Sequence, residues 1–355
     1  MRRRWLFWLV ALVVLFALEG SLRGMIGPYN YQILGLVGVN IILAVSLNLI
    51  NGYTGQFSIG HAGFYAVGAY ASAATLVYGG PALRGLFSFL PEAGQNAVLL
   101  TIGLTVAAVL AGLAGLAVGI PSLRLRGDYL AIVTLGFGEI IRVVILNVDA
   151  IGGARGFTGI PPLANFFWIY LFVLITVVVI HNLVQSSYGR VFVSIRDDEI
   201  AAEAMGVDTT RYKVLSFVIS SMFAGVAGGL FAHFTMYLHP NSFTFLTSFY
   251  VIIMIVVGGL GSIEGAVLGA ILVIGGLEAF REFGAFRLVN FAVLLVLIMI
   301  YRPQGLLGSW TLKRGWRARI STRAGGPPPP PPHPPPPPRG CAGVLSQKAR
   351  RAPRG

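Results

Sequence analysis

Charged residues are scarce in this chain of 355 residues, because Asp, Glu, Lys and Arg together make up 11% of it. A soluble domain usually carries roughly 25%. Cysteine is nearly absent as well: Cys341 is the single one, so no internal disulfide framework and no cysteine-based metal site can form within one chain. The composition is instead 55% hydrophobic, with a mean hydropathy of +0.77, which indicates an integral membrane protein.

The apolar residues are grouped into runs of about 20, long enough to cross a bilayer as helices. Alternation with a period of two residues is nearly lacking, which argues against a membrane barrel of strands. We therefore predict an all-α, polytopic integral membrane protein with about ten transmembrane helices. The predicted spans are 5–22, 31–50, 57–78, 97–120, 128–148, 165–184, 212–235, 247–261, 263–280 and 287–301.

The basic residues indicate the orientation of these spans. An even number of spans puts both termini on one side, and the side richer in Lys and Arg is the cytoplasmic one. Placing Arg2, Arg3 and Arg4 inside puts ten basic residues in the inner segments against six in the outer ones. We therefore predict a multi-pass protein with both termini cytoplasmic. The span 5–22 is predicted to be a retained helix, since a small-x-small cleavage pattern does not follow it.

The C-terminal segment has a composition of its own. Residues 311–355 carry ten basic residues and no acidic one, which accounts for most of the net charge of +13. Eleven prolines lie within 326–338, where polyproline II is favoured and a bilayer helix is excluded. The chain is thus divided into a transmembrane domain, 1–310, and a basic, Pro-rich, disordered tail, 311–355. Contact of the tail with membrane lipid is predicted, and nucleic-acid binding is not.

Sequence patterns for catalysis are lacking. A P-loop requires Gly-Lys followed by Ser or Thr, whereas the three lysines follow Tyr212, Leu312 and Gln347. If the protein acts with ATP, the ATP must therefore be bound by separate subunits, and we predict no cofactor for this chain. No His, Cys, Asp or Glu group has metal-ligand spacing, and there is no soluble domain to hold a catalytic triad. We predict no metal, no catalytic residues and no enzyme activity.

Two glycine-rich segments, 52–63 and 258–265, interrupt the apolar runs. Glycine and serine there permit a helix break or a close approach of two backbones. Irregular backbone at membrane depth is tolerated only against protein or a wet cavity, so we expect both segments to border a solute path. The candidate path residues are Gly55, Ser58, Gly60, His61, Gly258, Gly261, Ser262 and Glu264.

Some assignments have two interpretations. His61 either lines the path or is a neutral structural histidine bonded to a backbone carbonyl. Glu139 and Arg142 lie three apart on one helix face and form either an internal ion pair or a proton or substrate site. The stretch 247–280 is either two spans or one re-entrant hairpin.

The segment 185–212 is the longest polar connection between spans. Its apolar residues Ile195, Ala202 and Met205 alternate with acids in a manner that predicts short amphipathic helices, and Gly206 is well placed to end one of them. Both signs of charge are present, which favours a protein partner over anionic lipid.

Several separated motifs resemble the LivH/LivM permeases, the membrane subunits of branched-chain amino-acid ABC importers. The resemblance covers roughly residues 30–308 and is specific because the motifs occur in the same order. The first matching stretch is 52–70, which contains Gly-Tyr-Thr-Gly-Gln-Phe-Ser-Ile-Gly-His-Ala-Gly-Phe. The second is 126–136, Arg-Gly-Asp-Tyr-Leu-Ala-Ile-Val-Thr-Leu-Gly. The connection 188–213 follows, and the last stretch is 301–308, Tyr-Arg-Pro-Gln-Gly-Leu-Leu-Gly.

The resemblance implies a LivM-type subunit in a bacterial cytoplasmic membrane. It implies a heterodimer with a LivH-type permease, two ABC ATPase subunits and a periplasmic or lipid-anchored substrate-binding protein. Branched-chain amino acids would pass between the two permeases, although urea and short-chain amide permeases share the motif. The segment 185–212 would be the ATPase-coupling loop, with Arg196, Asp197, Asp198, Glu199, Ala202, Glu203 and Gly206 as candidate contacts. A proton-coupled secondary transporter using His61, Glu139 or Glu264 is the alternative of another class.

Overall fold

A computed structural model of the protein describes residues 27–122, 128–302 and 305–306. The predicted span 5–22 and the tail 311–355 lie outside these residues. The described helices are α1 Pro28–Asn48, α2 His61–Tyr78, α3 Gly80–Leu86, α4 Glu92–Ser122, α5 Asp128–Leu146, α6 Phe166–Gln185, α7 Ser187–Asp197, α8 Glu199–Ala204, α9 Thr209–Thr235, α10 Phe245–Gly258, α11 Ile263–Ala279 and α12 Arg287–Tyr301. One π-helical turn, Leu49–Tyr53, extends α1.

The predicted all-α class is confirmed, since pairing of β type in the described residues is limited to one isolated bridge between Phe157 and Leu238. Seven helical stretches are long and apolar enough to cross a membrane: Pro28–Tyr53, Glu92–Ser122, Tyr129–Leu146, Phe166–Gln185, Thr209–Thr235, Pro240–Gly258 and Ile263–Gly284. This is roughly consistent with about ten spans. Val289–Ile298 forms a shorter apolar helix within the last predicted span.

The predicted boundaries need correction at the third span. We expected a helix from residue 57, but α2 begins at His61, and residues 55–60 are non-helical. The backbone of residues 55–60 is hydrogen-bonded by side chains of neighbouring elements. Hydrogen bonds of this kind cannot be inferred from local helix propensity. The stretch 247–280 forms two helices, α10 and α11, joined by a short glycine turn.

Helix α1 lies at the centre of the packed core and is buried along most of its length. Around it, α2 and α9 cross so closely that a Cβ atom on Gly68 would overlap the backbone of Gly225. Helix α4 packs against α9 in the same way, with Gly115 against the side chain of Ser221. Small residues that let helix backbones approach are typical of membrane interiors, where packing rather than water exclusion holds helices together.

Candidate translocation and coupling site

The first helix break follows α1 and its π-turn. After Tyr53 the chain turns at Gly55, which has φ of +73°, and stays non-helical to Gly60. Its backbone is bonded to a side chain from outside the segment, since the Ile59 N–H donates to the Thr134 hydroxyl over 3.2 Å. The Ala62 N–H, in the first turn of α2, donates to the Ser248 hydroxyl over 2.9 Å. Side chains of α5 and α10 thus satisfy N–H groups that have no partner within a helix, as apolar surroundings require.

The second break joins α10 to α11. Gly259 and Gly261 have φ of +119° and +75°, values that side-chain-bearing residues rarely adopt. The Ser262 hydroxyl then accepts the Gly265 N–H over 3.0 Å and caps the start of α11. The two helices are therefore joined by a turn of defined conformation.

Asn48 joins the two breaks. Its side-chain oxygen accepts the Gly261 N–H over 2.9 Å, and its side-chain nitrogen donates to the Ser262 carbonyl over 2.9 Å. Asn51 makes the equivalent pair of bonds with the N–H and carbonyl of Ser58, at 3.2 and 3.3 Å. Each asparagine amide thus accepts a backbone N–H and donates to a backbone carbonyl where no regular structure supplies a partner. Through Asn48, the two predicted glycine segments are neighbours.

The structure places the candidate path residues in two groups. Gly55 and Glu264 are exposed, whereas the other six are buried within the subunit: Ser58, Gly60, His61, Gly258, Gly261 and Ser262. Gly60 packs against the carbonyl of Thr134 and Gly258 against that of Gly265. Close backbone packing thus accounts for these two glycines, and their contact with solute stays a prediction.

His61 begins α2 and is 1% exposed. Its Nε2 atom lies 3.0 Å from the hydroxyl of Ser46, a partner that we did not expect. The same Ser46 hydroxyl also lies 3.0 Å from the Leu43 carbonyl. The imidazole therefore joins α1 to α2 inside the subunit.

The connection 185–212 contains the two short helices that its pattern predicted, α7 and α8. Ser186 caps α7 and Asp198 caps α8, each accepting a backbone N–H from the first turn. Gly206, with φ of +84°, ends α8 as predicted. Its N–H bonds the Glu203 carbonyl while the next N–H bonds that of Ala202, the pattern of a Schellman motif.

The outer face of α8 is apolar as well as acidic. Ile195 and Ala202 are buried against the helical body, as expected, but Met205 is 84% exposed and Ile200 70%. Met205 follows the last helical residue, Ala204, and precedes the αL turn at Gly206. Two exposed apolar side chains beside Asp197 and Asp198 form a surface that we call the α8 knob: Asp197, Asp198, Ile200, Glu203 and Met205.

Arg196 links the coupling segment to both helix breaks. Its Nη1 donates to the Gly52 carbonyl over 3.3 Å, and its Nη2 donates to Asp197 over 2.9 Å. A Cβ atom on Gly261 would lie 3.3 Å from the same Nη1, and the stem of the side chain packs against Gly55. A single guanidinium, 27% exposed, therefore sits where α7 meets the two glycine segments.

A second link is an ion pair between Lys213 and Glu199. The ammonium of Lys213 lies 2.6 Å from the Glu199 carboxylate, and the two side chains are 2% and 23% exposed. This pair joins the start of α8 to the second turn of α9. A lysine so deeply buried requires its partner, because an unpaired charge there would be costly.

Replacing Glu199 alone is expected to destabilise the protein more than removing both charges. In Glu199→Gln the Lys213 ammonium stays buried with its counter-charge gone. The cost should be about 2 kcal/mol, below the roughly 3–5 kcal/mol typical of fully buried pairs because Glu199 is partly exposed. The double variant Glu199→Gln, Lys213→Met should recover most of that loss. Thermal unfolding of the solubilised protein measures the loss of stability in each variant. Equal losses of stability in the single and the double variant would contradict the expectation.

Glu139 and Arg142 form the predicted ion pair, with Nε of Arg142 2.7 Å from the carboxylate. The second carboxylate oxygen accepts the Phe245 N–H over 3.2 Å at the start of α10. The pair therefore joins α5 to α10.

Sequence reasoning missed the side chains that hold the breaks in place: Asn48, Asn51, Thr134 and Ser248. Each is a buried polar residue within or next to an apolar run. That signal was present, since an asparagine in a membrane span must find partners. The partners are far away in the sequence, so the pattern could not indicate them.

Comparison with known proteins agrees with this architecture. The sequence profile of the family described as "Branched-chain amino acid transport system / permease component" matches residues 30–301, most of the chain. No solved structure matches the chain.

Three relatives carry permease names. The "High-affinity branched-chain amino acid transport system permease protein LivM" of Escherichia coli is 37% identical over 331 residues, covering 83% of this chain and 74% of its own length. A "Probable branched-chain amino acid transport permease protein LivM" of Methanocaldococcus jannaschii is 28% identical, covering 76% and 90%. The LivH protein of Salmonella typhimurium is 31% identical over 163 residues, covering 44% and 52%.

Proposed function

This chain belongs to the branched-chain amino acid transport permease family, and from that membership and the geometry above we propose that it is the LivM-type subunit of an ATP-driven importer. It is a multi-pass membrane protein, and we place it in the bacterial cytoplasmic membrane with both termini inside. Its partner would be a LivH-type permease, since the chain is similar to proteins of both names. Branched-chain amino acids from a binding protein would pass between the two permeases, and separate ATPase subunits would bind the ATP.

The α8 knob is the observation that supports a role of this chain in coupling to an ATPase. Ile200 and Met205 are exposed apolar residues with exposed acids around them, and an apolar centre with a polar rim is typical of protein interfaces. We propose that the knob docks on an ATPase subunit. Arg196 then connects the docked segment to Gly52 and Gly261, so that movement of α7 is transmitted to both helix breaks.

Co-purification tests the assembly. The full chain, expressed with its neighbouring genes and solubilised in a mild detergent, should carry a second permease and two ATPase subunits. Uptake of leucine, isoleucine and valine into proteoliposomes should require ATP inside and binding protein outside. Purification of the chain without any ATPase, together with uptake driven by a proton gradient, would refute the proposal. Uptake of urea in place of amino acids would refute only the proposed identity of the solute.

Deleting residues 320–355 should leave uptake within about twofold of the full chain. The tail is rich in proline and lacks acidic residues, so it cannot build a packed core. Each of its basic residues adds about 1 kcal/mol of attraction to anionic lipid at most. Uptake by the truncated protein, normalised to the amount inserted in the membrane, checks this. A loss of insertion or uptake would assign the tail a function.

A further inference from the structure

The Glu139–Arg142 pair lies well inside an apolar span. Helix α5 rises about 1.5 Å per residue, so Glu139 is about 15 Å from Tyr129 and about 10 Å from Leu146, the two ends of that span. The guanidinium of Arg142 bonds Glu139, which precedes it by about one turn, so it points into the span and away from Leu146. Because the hydrocarbon core is about 30 Å thick, both charged groups lie at the depth of the lipid tails.

The guanidinium of Arg142 is only partly satisfied by its own subunit. Its hydrogen bond to Glu139 is made through Nε, and neither Nη1 nor Nη2 has a hydrogen-bond partner among the described residues. The two side chains are 23% and 30% exposed. A small recess beside Glu139 has room for about one water and is not lined by Arg142. The missing acceptors must therefore come from outside the subunit.

One side of α5 carries the pair within an apolar surface. Ile132, Gly136, Ile140 and Val143 follow one another at intervals of four, four and three residues, so they share one helix face. The isoleucines and the valine are 66%, 57% and 45% exposed, and a Cβ atom on Gly136 would meet no other atom within 4 Å. We call this surface the α5 face: Ile132, Gly136, Glu139, Ile140 and Val143. Its glycine leaves room for the close approach of another helix.

We propose that the α5 face is the surface on which the second permease packs, and that this permease supplies a hydrogen-bond acceptor to Arg142. The proposal rests on the proposed function, in which two permeases enclose the path. Charged groups at this depth rarely face lipid, because lipid tails offer no acceptor, whereas a protein can offer a side-chain oxygen or an open backbone carbonyl. Ile132, Ile140 and Val143 pack against apolar side chains of the same partner.

The exposed face of α4 has the opposite character. It includes Leu113 and Leu116, which are 55% and 38% exposed, and α4 has no charged residue between positions 101 and 120. Hydrocarbon satisfies such a surface completely, so we assign it to lipid. The two faces give a matched pair of positions for a test, Ile140 and Leu113, with nearly equal exposure.

Photo-crosslinking in the native membrane tests the assignment. An aliphatic amino acid that carries a diazirine is introduced at position 140 or at position 113 of the full chain, which is expressed with its neighbouring genes. Illumination should join position 140 to the second permease, and mass spectrometry of the adduct identifies the partner. Position 113 should react with lipid alone. Reaction of position 140 with lipid alone would overturn the proposal, and an adduct with another copy of this chain would overturn the choice of partner.

Bulky substitution gives a second readout. Gly136→Trp should reduce the second permease recovered per chain about tenfold or more, as expected when a close contact is overpacked. Gly275→Trp on α11 is the matched control, because its Cβ position is also free of other atoms within 4 Å, and it should retain the second permease. Wild-type recovery with Gly136→Trp would overturn the proposal even if uptake were lost. An equal loss in Gly275→Trp would overturn it as well, since the loss would not depend on the α5 face.

These outcomes are distinct from failure of the proposed function. If the wild-type chain purifies without a second permease, the proposed function fails in the co-purification assay. If the second permease is present and position 140 reacts with lipid alone, only the assignment of the α5 face is refuted.

Discussion

Replacing Gly258 by leucine is expected to prevent the permease from assembling. A Cβ atom on Gly258 would overlap the carbonyl of Gly265, and one on Gly269 would overlap the carbonyl of Met254. Helices α10 and α11 thus cross backbone to backbone, and no flexible side chain can move aside. The cost should exceed the roughly 1–3 kcal/mol typical of overpacked cores, so the amount of folded protein should fall about tenfold or more.

Gly275→Leu is the matched control for that substitution. Gly275 lies on α11, as Gly265 and Gly269 do, but nothing comes within 4 Å of its Cβ position. Size-exclusion chromatography of the solubilised protein in a mild detergent should yield a normal peak for Gly275→Leu and little or none for Gly258→Leu. If Gly258→Leu assembles normally but no longer transports, Gly258 lines the solute path and is not required for helix packing.

The sequence alone was sufficient for the architecture and for the location of its interruptions. Apolar runs of membrane length predicted α-helices, and within the part of the chain that the structure describes these are present with boundaries shifted by a few residues. The two glycine segments were expected to break helices, and both do. The amphipathic pattern before Gly206 predicted the short helices α7 and α8. All three signals are local, since they depend on residues within one or two turns of each other.

What the sequence could not indicate depends on distant partners. Asn48 and Gly261 are 213 positions apart, yet their hydrogen bond joins the two breaks. The expected helix start at residue 57 was wrong because the Thr134 and Asn51 side chains bond a non-helical backbone there. Local propensity favours a helix at such a site, and tertiary hydrogen bonds override it.

Replacing Arg196 by glutamine is expected to uncouple ATP hydrolysis from uptake. The guanidinium bonds the Gly52 carbonyl and Asp197 at once and lies against Gly261, whereas a shorter neutral amide cannot span these groups. Docking should survive, because every residue of the α8 knob is kept and only Asp197 loses a bond. Coupling between distant sites is usually worth about 1–3 kcal/mol, so the amount of leucine moved per ATP should fall about fivefold to a hundredfold. Parallel assays of uptake and phosphate release in proteoliposomes measure this ratio.

Arg190→Gln is the control for Arg196→Gln, because Arg190 is on the same helix but exposed, with its guanidinium bonded to Ser187. It removes the same charge from α7 and leaves both helix breaks untouched, so its transport ratio should match the wild type. Arg196→Lys should be intermediate, since an ammonium keeps the charge but loses the planar fork that holds two acceptors. A normal ratio in Arg196→Gln, with ATPase subunits still bound, would mean that α7 transmits movement through its packed residues Phe192 and Ile195 instead.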